Sequence, residues 1–242
     1  HTAATVVEEV TLLRSAGIDR INVDLIAGLA WQTPETWAAE FEWIERLALR
    51  HVSVYMLESD DDSRLGAELR KGGSRYGASA VPAEEQIADS YLYAVERLRG
   101  LGIHRYEISN FASLGHESVH NRKYWTLQPY VGFGADAHSF DGARRWSNFA
   151  EPAEYVGRMK AGQTTRATDE VIDDGRRTED LLMTGLRTRE GVTLPIASLS
   201  KFENRIATLK GLGWLEQPAP DRLRLTDTGV MYSNDALEQL IF

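Results

Sequence analysis

Between residues 2 and 111 the chain alternates helical and strand patterns three times, an order that suits only a layered α/β fold. Val6, Val7, Val10 and Leu13 recur at helical spacing, and Gly17 stops the run. Residues 18–29 read as a strand in which Ile21, Val23, Leu25 and Ile26 are apolar and Asp24 stands alone among them. A strand apolar on both faces suits a sheet interior. Thr33-Pro34-Glu35 then opens a helix, with Thr as N-cap, Pro in the first turn and an acid near the positive dipole end. Its inward stripe is Trp37, Phe41, Ile44 and Leu47/Ala48. Residues 52–57 form a second apolar strand, and a polar loop with Gly72-Gly73 follows over 58–82. A third helix starts at Pro82 and turns Ile87, Tyr91, Ala94, Val95, Leu98 and Leu101 inward; residues 103–111 read as strand. The expectation is a mainly parallel sheet with outer helices.

The character then changes. Residues 112–150 show little periodicity but many Gly, His, Asn and aromatic residues, a composition that suits functional loops on a rigid scaffold. Residues 162–177 are polar and read as a linker, which puts a domain boundary at 165/166. In the second part, residues 166–242, Leu181, Leu182 and Leu186 mark one helix, and Ile206, Leu209 and Leu212 mark another. A hairpin over 214–225 and a last helix over 226–240 complete a small helical, winged-helix-like domain.

Composition removes several chemistries. The 242 residues contain no Cys, so disulfides, thiolate nucleophiles, Cys-ligated zinc and an iron–sulfur cluster built from this chain alone are excluded. A formal charge of −9 gives no electrostatic footprint for nucleic acid, and no apolar run is long enough for an integral membrane helix. The first residues, His1-Thr2-Ala3-Ala4, offer neither Met nor a signal-like segment, so the chain reads as the continuation of something longer.

His116-Glu117-Ser118-Val119-His120 matches H-E-x-x-H, which on a helix presents two zinc ligands and a general base, as in a zinc hydrolase. It follows Gly115 and leads into Asn121-Arg122-Lys123 with no apolar stripe, so a loop is the plainer expectation. Gly132-Phe133-Gly134-Ala135-Asp136-Ala137 matches a loose dinucleotide fingerprint, but residues 138–142 break the helix that motif needs. Close backbone approach or a tight turn explains its glycines better. Asp60-Asp61-Asp62 reads as a solvated loop rather than a cation site. Asp24 is the most informative single residue. A carboxylate near the C-terminal end of a strand suits two ribose hydroxyls, and equally suits a bond to a neighbouring loop. His120-Asn121-Arg122-Lys123-Tyr124-Trp125 sets an imidazole beside two large aromatics. That is either a core histidine among packing rings or an apolar slot with an axial ligand for heme iron.

Several segments taken together resemble one family. They are Ile21-Asn22-Val23-Asp24-Leu25-Ile26-Ala27-Gly28-Leu29 with Gln32-Thr33, Val52-Ser53-Val54-Tyr55, and Tyr106-Glu107-Ile108-Ser109-Asn110-Phe111-Ala112. The His120–Trp125 element, Gly132-x-Gly134 and Ala137-His138-Ser139-Phe140 follow, then Gly185-Leu186-Arg187-Thr188-Arg189-Glu190-Gly191-Val192 and residues 223–226 with Gly229. In this order they are similar to the oxygen-independent coproporphyrinogen III oxidase-like radical S-adenosylmethionine (SAM) proteins. The H-N-x-x-Y-W element resembles that family's heme-chaperone branch.

The resemblance implies an α/β fold: the later strands of a partial (β/α)₆ barrel with a heme-motif loop region over 1–165, and a helical/winged domain over 166–242. It implies that Asp24 contacts the SAM ribose, that Ile26 lies by a second SAM, and that His120, Asn121, Tyr124 and Trp125 handle heme. Implied too are a cytoplasmic location, heme-accepting partner proteins and a 4Fe–4S cluster. The cluster's three cysteines belong to a segment before Asp24 that this chain does not contain, so the chain alone is expected to lack radical chemistry. The alternative activity within the family is oxidative decarboxylation of coproporphyrinogen III. Ala30-Trp31 stands where the family usually has Pro-Gly, which bears on the local loop geometry.

Overall fold

The computed structural model describes residues 2–58 and 63–242, so the Asp60–Asp62 run lies outside the described residues. The chain forms two compact units, residues 1–117 and 118–242.

In the first unit, α1 (Ala3–Ser15) is capped by the Thr2 hydroxyl, which accepts from the Thr5 amide. Strand β1 (Asn22–Ala27) leads to α2 (Pro34–Arg46), opened by a reciprocal Thr33–Thr36 capping box with Pro34 in the first turn. Strand β2 (His51–Met56) follows, then α3 (Arg64–Arg70), a 3₁₀ segment over Arg75–Ala80, and α4 (Glu84–Gly100). The segment expected as one strand over 103–111 is a hairpin, β3 (His104–Arg105) and β4 (Asn110–Ala112). Its turn is fixed by polar groups: the Tyr106 amide donates to the Asn110 carbonyl at 3.0 Å, and the Glu107 carboxylate accepts from the Ser109 amide.

The sheet order is β1-β2-β4-β3. The β1–β2 pair is parallel, as the alternating pattern leads one to expect, whereas β4 runs antiparallel to both β2 and β3. One sheet face carries Leu25, Ala27, Val52, Val54 and Phe111 into a core with Trp37, Phe41, Ile44, Tyr91, Ala94 and Leu98. The Trp37 indole N–H donates to the Ser90 carbonyl at 2.8 Å and so ties α2 to α4. Leu49, rather than Ala48, extends the apolar stripe of α2; Ala48 is exposed at a φ of 46°.

The second unit begins with α5 (Val119–Trp125). Strands β5 (His138–Phe140) and β6 (Arg144–Asn148), then α6 (Pro152–Lys160) and β7 (Arg166–Val171), build an antiparallel sheet of order β5-β6-β7. The polar stretch expected as a linker therefore contains an exposed edge strand and the start of α7 (Asp174–Gly185); the expected boundary at 165/166 falls at the first residue of β7. Asp180 on α7, buried, receives Arg145 of β6 at 2.5 Å.

Next come β8 (Val192–Thr193), α8 (Ile196–Leu199), α9 (Glu203–Gly211), β9 (Leu215–Ala219) and β10 (Arg222–Leu225). The three strands form a sheet of order β8-β10-β9, the wing that the hairpin pattern announced. The last helix is two, α10 (Asp227–Met231) and α11 (Ser233–Ile241), broken at Tyr232. Leu182, Leu186, Leu209, Leu223, Leu237 and Leu240 close this core.

Candidate functional site

The sheet of the first unit has two unlike faces. Because side chains alternate along a strand, the register that buries Leu25 and Val54 turns Asn22, Asp24 and Ile26 of β1 to the other side. There they stand beside His51, Ser53 and Tyr55 of β2, with Asn110 of β4 next to Ser53. The strand expected to be apolar on both faces is thus apolar on one. Asp24 and Ile26, the two predicted SAM contacts, share the open polar face and are both exposed. Exposure removes the desolvation cost that a buried carboxylate carries.

This face is wired together. Asn22 Nδ2 donates to Asp24 Oδ1 at 2.6 Å and to Ser53 Oγ at 2.9 Å. The Ser53 hydroxyl donates to Asn110 Oδ1 at 2.8 Å, and Asn110 Nδ2 donates to the Glu107 carboxylate. Asn22 Oδ1 accepts from His51 Nδ1 at 2.6 Å, which leaves Nε2 of a neutral imidazole to accept from the Tyr106 hydroxyl at 2.8 Å. Burial raises the Glu107 carboxyl above its ordinary pKa, against the opposing Asn110, Ser109 and Ile108 hydrogen bonds and the Arg105 charge. Burial likewise lowers His51, against the raising influence of Asp24 and Glu117; His116 lowers it further.

The two shifts change stability with pH in opposite directions. For His51 the unfolded chain binds more protons between the lowered folded value and 6.5, so stability falls as pH drops through that window. For Glu107 the folded chain holds its proton above 4.5, so stability falls as pH rises from 4.5 through the raised value. Glu107→Gln removes the second effect. Its melting temperature relative to the parent is expected to climb as pH increases from that point, and a pH-independent difference in a melting series refutes the assignment.

Sequence reasoning gave no role to Asn22, His51, Tyr106 or Glu107. The signal available was the period-2 alternation of His51, Ser53 and Tyr55 with Val52 and Val54. At the end of β1, Gln32 clamps the turn: its Oε1 accepts from the Gly28 amide at 2.7 Å and its Nε2 donates to the Ile26 carbonyl at 3.0 Å. Trp31 has a φ of 62°, so this position is left-handed, at a cost of roughly 1–2 kcal/mol for a non-glycine residue. Its ring lies against Gly77, where an added Cβ would come within 2.9 Å of Trp31 Cη2.

In the second unit, Ser118 caps α5 by accepting from the Asn121 amide. None of the seven residues of α5 is buried, so the core-histidine reading of His120 fails. His120 Nε2 lies 3.2 Å from the Tyr124 hydroxyl, one helical turn on. In the tautomer that donates Nε2–H to that hydroxyl, Nδ1 is the unprotonated ligand nitrogen. An aromatic line runs inward: Tyr124 meets Tyr130 at 4.7 Å between ring centroids, and Tyr130 meets the buried Phe140 at 6.5 Å. Asn121 and Trp125 are half-buried on the same helix.

The zinc reading is corrected by the helix start. His116 and Glu117 precede the cap of α5 and only His120 lies on it, so the three do not share a helical face. Among the described residues no group of three His, Asp or Glu side chains is arranged to hold a metal ion. Residues 132–137 form no helix: the Gly132 amide donates to Ser139 Oγ at 3.0 Å, and a Cβ there would sit 2.2 Å from the His138 carbonyl oxygen. Close backbone approach is what Gly132 provides, while Gly134 supplies a φ of 108° with open space around it. Among the described residues no helix is long and apolar enough to cross a membrane.

No family model matches the chain. Heme chaperone HemW of Lactococcus lactis subsp. lactis is 31% identical over 253 residues, covering 100% of this chain and 63% of that protein. Heme chaperone HemW of Bacillus subtilis is 34% identical over 74% of this chain and 46% of its own length. The mitochondrial radical S-adenosyl methionine domain-containing protein 1 of Bos taurus is 28% identical over 78% and 38%. The chain thus spans less than two thirds of the length of these relatives. Among solved structures, coproporphyrinogen III oxidase (HemN) from Escherichia coli, described as a radical SAM enzyme, superposes with a TM-score of 0.79 at 17% identity, over 99% of this chain and 59% of that one. That likeness establishes the fold. In sequence the chain is similar to the relatives named heme chaperone HemW, and in fold to a structure described as a radical SAM enzyme.

Proposed function

We propose that this chain is part of a cytoplasmic heme chaperone of the radical SAM type, which binds heme and passes it to acceptor proteins. The observation that carries the reading is the open face of α5, where an exposed His120 is oriented by Tyr124. A histidine so held offers one nitrogen to heme iron without unfolding anything, and the exposed Val119 and Tyr124 add apolar surface for a flat macrocycle. An exposed site suits a carrier that must release its cargo. Asn121 and Trp125 belong to the same element.

In this reading the ribose hydroxyls of SAM meet Asp24. The residues fit: Oδ1 is held by Asn22, while Oδ2 accepts no hydrogen bond among the described residues and is open to a diol. Ile26, exposed one pleat further along β1, offers an apolar contact beside it. A 4Fe–4S cluster does not fit these residues, since none of the 242 is Cys; its ligands have to come from outside them.

The test is a heme titration of the full-length protein. His120→Ala is expected to lose the Soret shift and to weaken binding by more than roughly tenfold, the least that an altered metal shell costs. Tyr124→Phe is expected to keep the ligand and weaken binding less. An unchanged Soret spectrum and affinity in His120→Ala overturns the assignment. The shared fold with HemN favours a second reading, radical oxidative decarboxylation of coproporphyrinogen III. Protoporphyrinogen formed by the reconstituted full-length protein under anaerobic conditions would decide for it.

A further inference from the structure

We propose that Asn22 and His51 are positioning residues that aim the Asp24 carboxylate at its ligand, and that ligand affinity at Asp24 depends on His51 being neutral. The inference rests on the reading of Asp24 as the SAM ribose contact and goes beyond it.

Asn22 is an amide with every direction assigned. Its two N–H groups go to Asp24 Oδ1 and Ser53 Oγ, and its oxygen accepts from His51 Nδ1. An amide flipped by half a turn would point oxygen at the Asp24 carboxylate and nitrogen at a donor, so His51 selects the one orientation that holds Asp24. The other end of the relay is fixed. Ser53 is 2% exposed and Glu107 1%, and both are joined through Asn110. A flexible carboxylate at the surface is thereby tied through three side chains to a buried anchor on the β3–β4 turn. Pre-orientation of this kind lowers the ordering cost that a ligand would otherwise meet.

Protonation of His51 disturbs the arrangement at two points. Nε2 gains a proton where Tyr106 already donates its own, so the Tyr106 O–H has to rotate and its oxygen accept instead. The ring also becomes a cation that competes for the Asp24 carboxylate with a ligand's hydroxyls. The titratable groups facing His51 are Asp24 on β1, Tyr106 at the turn, and His116 and Glu117 in the segment after β4. The acids favour protonation, while His116 and burial oppose it.

The experiment measures the dissociation constant of SAM by calorimetry on the full-length, cluster-loaded protein, from about pH 5 to about pH 8, a range that brackets an ordinary histidine. Each measurement is made well below the melting temperature of the variant concerned. Asp24→Asn serves as the control for the underlying reading. If it binds SAM as the parent does, the ribose contact itself is wrong, whatever the other variants do. With Asp24→Asn impaired, Asn22→Ala and His51→Ala are expected to bind about tenfold more weakly, the scale of one hydrogen bond to a charged group.

His51→Asn supplies the discriminating result. Its Nδ2 replaces Nδ1 as the donor to Asn22 but cannot titrate. It is expected to hold SAM within about threefold of the parent near pH 7.5 and to lose the weakening that the parent shows on acidification. Parent-like affinity in Asn22→Ala and His51→Ala, or an acid-side loss that persists in His51→Asn, overturns the proposal while leaving Asp24 as a ligand contact.

Discussion

Replacing Phe111 by alanine is expected to destabilise the 1–117 unit by about 3–5 kcal/mol, the usual cost of emptying a fully buried phenyl site. The upper part of that range applies when the surroundings cannot collapse, and here they are pinned. Phe111 lies on β4 between β2 and β3, paired with Val52 on one side and Arg105 on the other. Its ring is 0% exposed and meets Tyr91 of α4 edge-on at 6.2 Å between centroids. Tyr91 is held in turn, since its hydroxyl donates to the Ile108 carbonyl at 2.8 Å. The void therefore persists instead of filling. Its neighbour Asn110 points to the opposite face and carries the relay toward Asp24, so a loosened β4 should reach the polar face too. Urea unfolding followed by tryptophan fluorescence measures the loss, and the melting temperature should fall by on the order of 10 °C or more. A loss below about 1 kcal/mol, within what a volume-conserving core swap costs, contradicts the packing described for this sheet.

What could be read from the sequence was what is local. Thr33 as cap, Pro34 in the first turn and the stop residue Gly17 act within one helical turn, and Gly17 adopts the positive φ that ends a helix. The buried stripes of α2 and α4 followed from period alone, in Trp37, Phe41 and Ile44 and in Ile87, Tyr91, Ala94 and Leu98. Position 24 was legible as a carboxylate on a strand, but it was expected near the C-terminal end and is the third of the six residues of β1. Its setting was not. Asn22 finds His51 and Ser53 29 and 31 residues away, and Ser53 finds Asn110 after a further 57, so no window of the sequence contains the relay. The strand over 103–111 failed because Glu107 and Ser109 close a turn with their own hydrogen bond, a competition that hydropathy does not register. The break at Tyr232 carries neither Gly nor Pro; the Tyr232 ring there stacks on Trp214, 18 residues earlier in the chain. His120 was legible as a residue of interest, and its exposure was not, because two aromatics nearby read equally well as a core.

Gly229→Ala is expected to cost about 3 kcal/mol, the upper end for adding atoms where none fit. Gly229 belongs to the tail segment that carried part of the family resemblance, and the structure gives that glycine a physical reason. A Cβ at this position would stand 1.8 Å from the Trp214 carbonyl oxygen and 2.7 Å from its carbon. Backbone cannot swing aside as a side chain can. The helix α10 cannot lift away either, because it is fastened on both sides of the contact. At its start the Thr226 amide donates to the Trp214 carbonyl at 3.0 Å and the Thr226 hydroxyl donates to the Gly213 carbonyl at 2.6 Å. At its end the Tyr232 ring stacks on the Trp214 indole, 4.8 Å between centroids and 12° from parallel. Relief of the clash has to sacrifice one of these, so the near-ultraviolet circular dichroism of the Trp214–Tyr232 pair should weaken together with the thermal stability. Gly157→Ala provides the comparison. It too lies inside a helix, α6, but its added methyl meets nothing within 4 Å. There the gain in helix propensity acts alone and is expected to stabilise by up to about 1 kcal/mol. The same substitution is thus expected to change sign between two helical glycines of one unit. Equal melting temperatures for the two variants would mean that α10 does not rest on the Trp214 backbone.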